Sequence, residues 1–123
     1  MIYNKNEYKI KFYQNEKGVI PVIVYLEKIS IKEKAKILKY IDFLRERKGY
    51  LDEPYSKHIK GKIRELRVDF SRNRFRIFYF IFINKNIVLL HVFLKKTPKT
   101  PSKEIKVAEE NLKYVLNNLE LYE

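Results

Sequence analysis

Arg67 and Arg76 are the residues of this sequence whose type and spacing best suit chemistry on a charged ligand. Each lies in a stretch where apolar and polar residues alternate, which is the pattern of a half-buried β-strand. The two stretches flank a short turn-like segment at 71–73 (SRN), so they should form a hairpin. Because guanidinium groups bind phosphate oxygens through paired hydrogen bonds, the two arginines suggest a site for a phosphate-bearing ligand.

Basic residues are concentrated in the same part of the chain. The formal net charge is +12, and residues 57–103 contain 13 basic but only 2 acidic side chains. Besides the two arginines, the candidates for anion contacts are Lys57, Lys60, Lys62, Arg64, Arg74, Lys95, Lys96 and Lys99. A concentrated positive field favours a polyanion, of which nucleic acid is the commonest. A charge excess that only keeps the protein soluble is the alternative.

The two histidines are candidates for acid–base chemistry. His58 lies in a basic segment that is predicted to be an exposed loop, whereas His91 lies inside an apolar strand and is predicted to pack in the core. With two histidines and no cysteine, neither a metal site nor a disulfide is expected, and no cofactor is predicted. The lack of cysteine also fits a reducing compartment.

Hydrophobic periodicity predicts the elements of the N-terminal half. Residues 8–13 alternate as a strand, and a short helix should begin at Pro21. Ser30 and Glu33 match a capping box at the start of a second helix, which Gly49 should end. The two helices are expected to form a hairpin. The predicted apolar stripe of the second helix consists of Ile31, Ala35, Leu38, Ile41 and Leu44.

The C-terminal half is predicted to contain three strands and a helix. The strands are Ile63–Phe70, 74–83 and 87–94, with tight turns at 71–73 and 84–86. A helix should run from about residue 101 to 119, capped by Thr100. Its predicted apolar face consists of Ile105, Ala108, Leu112, Val115 and Leu119.

The order β-α-α-β-β-β-α predicts one α+β domain over residues 1–123. We expect an antiparallel sheet, an N-terminal helical hairpin and a C-terminal helix, with the helices packed on one side of the sheet.

The strand register decides which charged residues meet. A shift of one residue would exchange the faces, so apolar residues must oppose apolar residues. This register puts Arg67 opposite Arg76 and Asp69 opposite Arg74 on one exposed face. Adjacent arginines repel each other, so folding alone does not require them. A solvated lattice of ion pairs, with Glu65 and Asp69 as the acids, is the alternative to an anion clamp.

Neither a signal peptide nor a membrane span is predicted. The first eleven residues are charged and lack an apolar run of the kind that a signal peptide needs. No stretch reaches the roughly 18 uncharged apolar residues of a transmembrane helix. A cytoplasmic location without a membrane partner is therefore expected.

Several segments together resemble the RelE/ParE toxin superfamily. They are 63–68 (IRELRV), 75–80 (FRIFYF) and 89–97 (LLHVFLKKT). The segment 95–101 (KKTPKTP), followed by a helix, is especially similar to the HigB-like, phage-derived branch of that superfamily. The helix start at Pro21 and the helical hairpin also fit, so the resemblance covers nearly the whole chain.

The resemblance implies a RelE-like fold and the toxin of a type II toxin–antitoxin system. Such toxins enter the ribosomal A site and cleave mRNA there, which inhibits translation. A cognate antitoxin, expected to be a helix-turn-helix protein encoded nearby, blocks them. The implied activity is that of a metal-independent endoribonuclease, or mRNA interferase, with mRNA and the ribosome as its partners.

The resemblance also implies residue roles. By position, Arg76 matches the central catalytic arginine of the family, and Arg67 matches a basic residue of the preceding strand. Lys96 matches a basic residue after the last strand, with Lys95 a near alternative. The other basic residues named above, from Lys57 to Lys99, become candidate RNA contacts. Because some relatives use histidines in the reaction, His58 and His91 are the candidate acid–base groups.

The implied reaction is an in-line attack by a ribose 2′-hydroxyl on the adjacent phosphate. It needs a base, stabilisation of the transition-state charge and help for the leaving 5′-oxygen. Arg67 and Arg76 would stabilise the phosphate, and Lys96 would assist neutralisation or protonation. The base stays open between a desolvated lysine, a nucleotide of the ribosome and no defined group.

Two other functions fit the same sequence. The first is a non-cleaving binder with this fold, which would be either a ParE-like gyrase poison or an inactive toxin that holds its antitoxin. The second is a basic RNA-binding module of ribosomal type.

Overall fold

The computed structural model describes residues 7–82 and 85–123, which form an α+β fold. The five strands are β1 (Lys9–Phe12), β2 (Ser56–Lys60), β3 (Ile63–Phe70), β4 (Asn73–Phe82) and β5 (Asn86–Leu94). The three helices are α1 (Pro21–Lys28), α2 (Ile31–Glu46) and α3 (Ser102–Leu116), and a short 3₁₀ turn follows at Leu119–Leu121. The predicted α+β class, with its helical hairpin and C-terminal helix, is confirmed.

The strands form one sheet in the order β1-β5-β4-β3-β2. Neighbouring strands are antiparallel except for β1, which pairs in parallel with β5. Strand β2 was not predicted, because its sequence, SKHIK, has only a weak apolar alternation. It lies at the sheet edge, where polar and charged residues are common. The predicted strand 74–83 and turn 84–86 include Ile83 and Asn84, which lie outside the described residues.

The helices cover both faces of the sheet, so the expectation of a one-sided arrangement is wrong. Helices α1 and α2 pack on one face against a core that includes Val68, Ile77 and Leu89. Helix α3 packs on the other face, where Phe80 and Leu90 belong to a second core. Strands β4 and β5 are apolar on both sides, as expected of strands buried on both faces.

Helix α2 begins as predicted but turns a different stripe to the sheet. The Glu33 backbone N–H donates to Ser30 Oγ over 3.1 Å, and the Ser30 N–H donates to Glu33 Oε1 over 3.1 Å, which confirms the capping box. The buried residues of the helix are Ile37, Ile41 and Leu44. Of the predicted stripe, Ile31 is 87% exposed, and Ala35 and Leu38 are also exposed. The stripe therefore starts two turns later than predicted.

Helix α2 ends in a Schellman motif. The Gly49 N–H donates to Leu44 O over 2.8 Å, and the Lys48 N–H donates to Arg45 O over 3.1 Å. Gly49 has a φ of +89° and packs so closely on β4 that a Cβ atom would lie 2.4 Å from Ile81 Cδ1. A side chain is therefore excluded at this position by both conformation and space, and the predicted role of Gly49 is confirmed.

Helix α3 presents the predicted apolar face but not the predicted cap. Ala108 and Val115 are buried, and Ile105, Leu112 and Leu119 pack beside them. The helix begins at Ser102 without a side-chain cap, so the expected capping by Thr100 is wrong. In the described parts of the chain, no helix is long and apolar enough to cross a membrane.

Candidate functional site

The register of the β3–β4 hairpin brings the two arginines together. Arg67 lies opposite Arg76 and Asp69 opposite Arg74, as predicted. Arg76 also lies opposite Phe93 of β5, so both arginine side chains belong to the face on which α3 packs. Neither arginine belongs to the core under α3.

Each arginine has a carboxylate partner from β3. Arg67 Nε lies 2.8 Å from Glu65 Oε1, and Arg76 Nη1 lies 2.8 Å from Asp69 Oδ1. The two acids differ in exposure, because the Glu65 side chain is fully buried whereas that of Asp69 is 62% exposed. The ion pairs of the alternative interpretation are therefore present, and a phosphate would have to compete with them.

Arg76 is more buried than the sequence predicted. It is only 6% exposed, so the expectation that both arginines lie on an exposed face is wrong for Arg76. The reason is its place in a central strand, where β3 and β5 flank it. Its guanidinium also donates from Nη1 to Phe75 O over 2.9 Å. Arg67, nearer the sheet edge, keeps about a quarter of its side-chain surface exposed.

Two buried polar atoms of the site have no hydrogen-bond partner. They are Arg76 Nε and Glu65 Oε2. A buried unsatisfied polar group costs about 1–3 kcal/mol. Unsatisfied groups are therefore uncommon in folded proteins, and they often mark a binding or catalytic role.

Lys95 and Lys96 both line the crevice that contains Arg74, but they differ in exposure. The Lys95 N–H donates to Arg74 O over 2.8 Å, and burial lowers the pKa of the Lys95 amine. Arg76, Arg67 and Lys57 lower this pKa further, and Glu65 opposes them. The amine therefore lies within the field of the arginine pair. Lys96, which matches the family's basic residue after the last strand by its position, is exposed to solvent.

Two crevices open around these residues. The first, which we call the arginine crevice, has a volume of about 260 Å³ and is lined by Lys36, Tyr40, Pro54, Tyr55, Arg67, Asp69 and Arg76. The second has a volume of about 530 Å³ and is lined by Arg72, Asn73, Arg74, Leu94, Lys95, Lys96, Thr97 and Pro98. Cations outnumber acids in both, as an anion-binding surface requires.

The other predicted RNA contacts divide into two groups. Lys57 lies opposite Glu65, on the face of the arginine pair, and Lys99 is exposed in the loop after β5. Lys60 lies 3.2 Å from Glu109 of α3. Lys62 lines a crevice beside the same acid, away from the arginine pair.

Arg64 points to the opposite face of the sheet. Its Cζ lies 4.8 Å from the ring centroid of Tyr50, and its Nε donates to Tyr79 Oη over 3.3 Å. Burial raises the pKa of Tyr79, whose hydroxyl donates to Gly49 O over 2.7 Å. The structure therefore does not bring Arg64 to the arginine crevice.

The histidines lie away from the arginine crevice. His58 is exposed on β2 and lies opposite Arg64, with its Nε2 2.8 Å from Gly61 O. His91 stacks on Phe93 with a centroid separation of 5.6 Å, and its Nε2 lies 3.5 Å from Glu104 Oε1. Burial lowers the pKa of His91, and Glu104 opposes the shift. His91 is therefore half-buried between β5 and α3 and not fully packed in the core as the sequence had predicted.

The sequence did not indicate four residues of the arginine crevice, which are Lys36, Tyr40, Pro54 and Tyr55. Lys36 of α2 donates from Nζ to the Asp69 carbonyl, and it is not part of the apolar stripe predicted for this helix. Tyr40 and Tyr55 also line the crevice. Lys36 and Tyr40 are four residues apart, so they lie on the same side of α2. Each precedes a buried isoleucine, Ile37 or Ile41, and this is the one sequence signal that places them near the sheet. Within residues 7–82 and 85–123, no three acidic or histidine side chains are grouped to hold a metal ion.

The fold and the site define an α+β protein with a basic, partly buried cluster suited to anions. A family model described as Phage derived protein Gp49-like (DUF891) matches residues 24–113. This match spans most of the chain, so the protein belongs to the Gp49-like family, which is associated with the toxins of toxin–antitoxin systems. Membership of such a family implies an antitoxin partner. No curated protein matches the sequence.

Proposed function

We propose that this protein is a RelE/HigB-like toxin that cleaves mRNA on the ribosome without a metal ion. Its family supports the toxin assignment. The observation that carries the nuclease proposal is the pairing of Arg67 with Arg76 across the β3–β4 hairpin, with Lys95 bonded through its backbone to Arg74 on the same strand as Arg76. Single-stranded RNA supplies the phosphate groups that these cations can bind, and its ribose 2′-hydroxyl can act as the nucleophile.

The proposed reaction uses the RNA's own 2′-hydroxyl. Its oxygen attacks the adjacent phosphorus, the P–O5′ bond breaks, and the products are a 2′,3′-cyclic phosphate and a 5′-hydroxyl. Negative charge grows on the phosphoryl oxygens in the transition state. Arg67 and Lys95, which are partly exposed, would contact these oxygens, and Arg76 would support them from the floor of the crevice.

Asp69 would exchange with the phosphate. Its carboxylate forms an ion pair with Arg76 but is mostly exposed. Rotation of the Asp69 side chain into water would therefore cost little free energy. Glu65 is fully buried and keeps its contact with Arg67. Glu65 is therefore a positioning residue for Arg67 and does not reach the substrate.

Lys95 is the proposed proton donor to the leaving 5′-oxygen. Burial and the neighbouring arginines lower the pKa of its amine, which makes the ammonium a stronger acid than an ordinary lysine. The base that accepts the 2′-hydroxyl proton is either a lysine of this surface or a nucleotide of the ribosome.

The two ion pairs favour a second candidate function. With Glu65 and Asp69 bound to the arginines, the same surface could serve only to hold the antitoxin. A gyrase poison of the ParE kind is the related option. Both predict that the chain leaves RNA intact.

The test is inducible expression in a bacterial host with mapping of RNA 5′ and 3′ ends. Native protein should produce new 5′-hydroxyl ends and arrest translation, and Arg76→Ala should remove them because it deletes the floor of the crevice. Arg45→Ala is the matched control, because Arg45 forms ion pairs on α2 with Glu7 and Asp42.

Circular dichroism would show that both variants fold. Unchanged transcript ends with the native protein would reject the nuclease. DNA-damage induction in place of translation arrest would support the gyrase option.

A further inference from the structure

A second concave surface lies beside the arginine crevice and is lined mainly by aromatic rings. This aromatic cleft has a volume of about 460 Å³ and is lined by Tyr40, Phe43, Glu46, Arg47, Tyr50, Leu51, Asp52 and Tyr55. Three of its rings are open to solvent, with exposed fractions of 58% for Tyr50, 48% for Tyr55 and 39% for Phe43. Exposed aromatic residues grouped in one cleft are uncommon unless they bind something.

The aromatic cleft is continuous with the arginine crevice. Tyr40 and Tyr55 line both, and their ring centroids are 6.0 Å apart. The Arg67 backbone N–H donates to the Tyr55 carbonyl over 2.9 Å, and the two residues line the arginine crevice together. A chain with one phosphate at Arg67 would therefore bring a neighbouring nucleotide to Tyr55.

Cations surround the aromatic rings. Lys36 Nζ lies 5.7 Å from the Tyr40 centroid, and Lys39 Nζ lies 5.7 Å from the Phe43 centroid. Arg64 occupies one side of Tyr50. Rings flanked by ammonium and guanidinium groups suit a ligand that combines flat bases with phosphates.

Two acidic side chains line the aromatic cleft, and they favour a base over a phosphate there. Glu46 and Asp52 line the aromatic cleft, where they would repel a phosphate. Carboxylates accept hydrogen bonds from the amino groups of bases. The lining of the aromatic cleft has these two acids and one cation, Arg47, whereas that of the arginine crevice has three cations and one acid, so a phosphate is favoured at the arginine pair.

We propose that the aromatic cleft is a stacking subsite for a nucleobase of the single-stranded RNA whose phosphate binds at the arginine pair. The proposal rests on the function proposed above and extends it by one nucleotide position. Tyr55 is the ring at the junction, and it stacks the base next to the scissile phosphate.

The test uses a short RNA that carries 2-aminopurine and 2′-O-methyl groups, which prevent cleavage. Native protein should bind it and quench the 2-aminopurine fluorescence, because stacking on a ring quenches this base. Tyr55→Leu should weaken binding by about tenfold, the size of one lost stacking contact, and remove the quenching. Tyr55→Phe keeps the ring and should restore both signals. Thermal unfolding of each variant would establish that it folds.

The outcomes separate this proposal from the proposed function. If native protein binds the RNA but Tyr55→Leu binds and quenches equally well, the stacking subsite is rejected and the nuclease proposal stands. If native protein does not bind this RNA, the stacking subsite is rejected, whereas the proposed function is decided by the expression experiment, in which ribosomes are present. If Tyr55→Leu weakens only the binding of the antitoxin, the cleft is a protein interface and the stacking proposal is overturned.

Discussion

The Arg76–Asp69 ion pair is the contact on which the chemistry of the site depends most directly. Arg76 is buried and cannot leave its place, whereas Asp69 is largely exposed. In the proposed function, a phosphate that binds Arg76 would displace an acid that is largely exposed to solvent. The competing acid should lower affinity for RNA without being required for the fold.

Replacing Asp69 by asparagine tests this competition. Asp69→Asn removes a negative charge beside the phosphate position, which is worth roughly 1 kcal/mol in a solvent-exposed site. We expect RNA affinity to rise about fivefold, measured by fluorescence anisotropy with a non-cleavable oligonucleotide. Asp42→Asn is the matched control, because Asp42 is also an exposed acid paired with an arginine. Equal or weaker binding by Asp69→Asn would show that the acid does not compete.

The sequence predicted the strand register of Arg67 and Arg76 but not how deeply Arg76 is buried. Alternation and a short turn were enough to place Arg67 opposite Arg76, because register follows from pairing apolar with apolar residues. Burial of Arg76 depends on β5, whose pairing with β4 has an irregularity between Phe78 and Tyr79. Alternation within one strand does not report such a shift. The choice between Lys95 and Lys96 was undecidable for the same reason.

At the scale of elements, helix α2 links the capping box to the hairpin that carries the arginines. Hydrogen bonds from Asn73 and Ser30 lower the pKa of Glu33, and Asn73 Nδ2 donates to Glu33 Oε2 over 2.6 Å. Asn73 begins β4, so one carboxylate joins the start of α2 to the β3–β4 turn. The cap therefore stabilises both the helix and its position over the sheet.

Removing the cap should weaken the whole fold measurably. Ser30→Ala deletes the acceptor for the Glu33 N–H and should lower the free energy of unfolding by about 1 kcal/mol, measured by urea denaturation. Ser102→Ala is the control, because Ser102 opens α3 without a capping hydrogen bond. Equal losses in the two variants would mean that the capping box contributes no more than an ordinary exposed serine.

Elements were easier to predict than their packing. Local signals such as the Ser30-Glu33 box placed the start of α2 correctly, since a cap is a contact within four residues. The stripe of α2 was wrong because Ile31 and Leu38 are apolar but exposed, and only the position of the sheet decides which side is buried. The two-sided helix arrangement likewise depends on long-range contacts that periodicity does not contain.

At the scale of the whole molecule, positive charge and acidity are segregated. Residues 104–123 contain 2 basic and 5 acidic side chains, in contrast to the basic stretch before them. Helix α3 contributes most of these acids, and Glu104 lies beside His91 in the contact between α3 and β5. The stability of this contact should depend on pH.

Protonation of His91 should destabilise the fold. Because burial lowers the pKa of His91 in the folded state, the unfolded chain binds more protons as the pH falls below about 6.5, the ordinary value for histidine. The free energy of unfolding should therefore fall with pH in this range, and His91→Gln should make the fall less steep, measured by urea denaturation at several pH values. His58→Gln is the control for losing one histidine. An unchanged slope in His91→Gln would contradict the prediction.

The burial of Tyr122 has a consequence for the timing of folding. Its hydroxyl accepts from the Gln14 N–H over 2.9 Å and donates to Gln14 O over 3.2 Å, just beyond the strand that pairs with β5. Contacts between such distant parts of a chain form only after the last of them has been synthesised. Until Tyr122 has been synthesised, the hydrogen bonds that hold Gln14 next to β1 cannot form, so this edge of the sheet acquires its full set of contacts late.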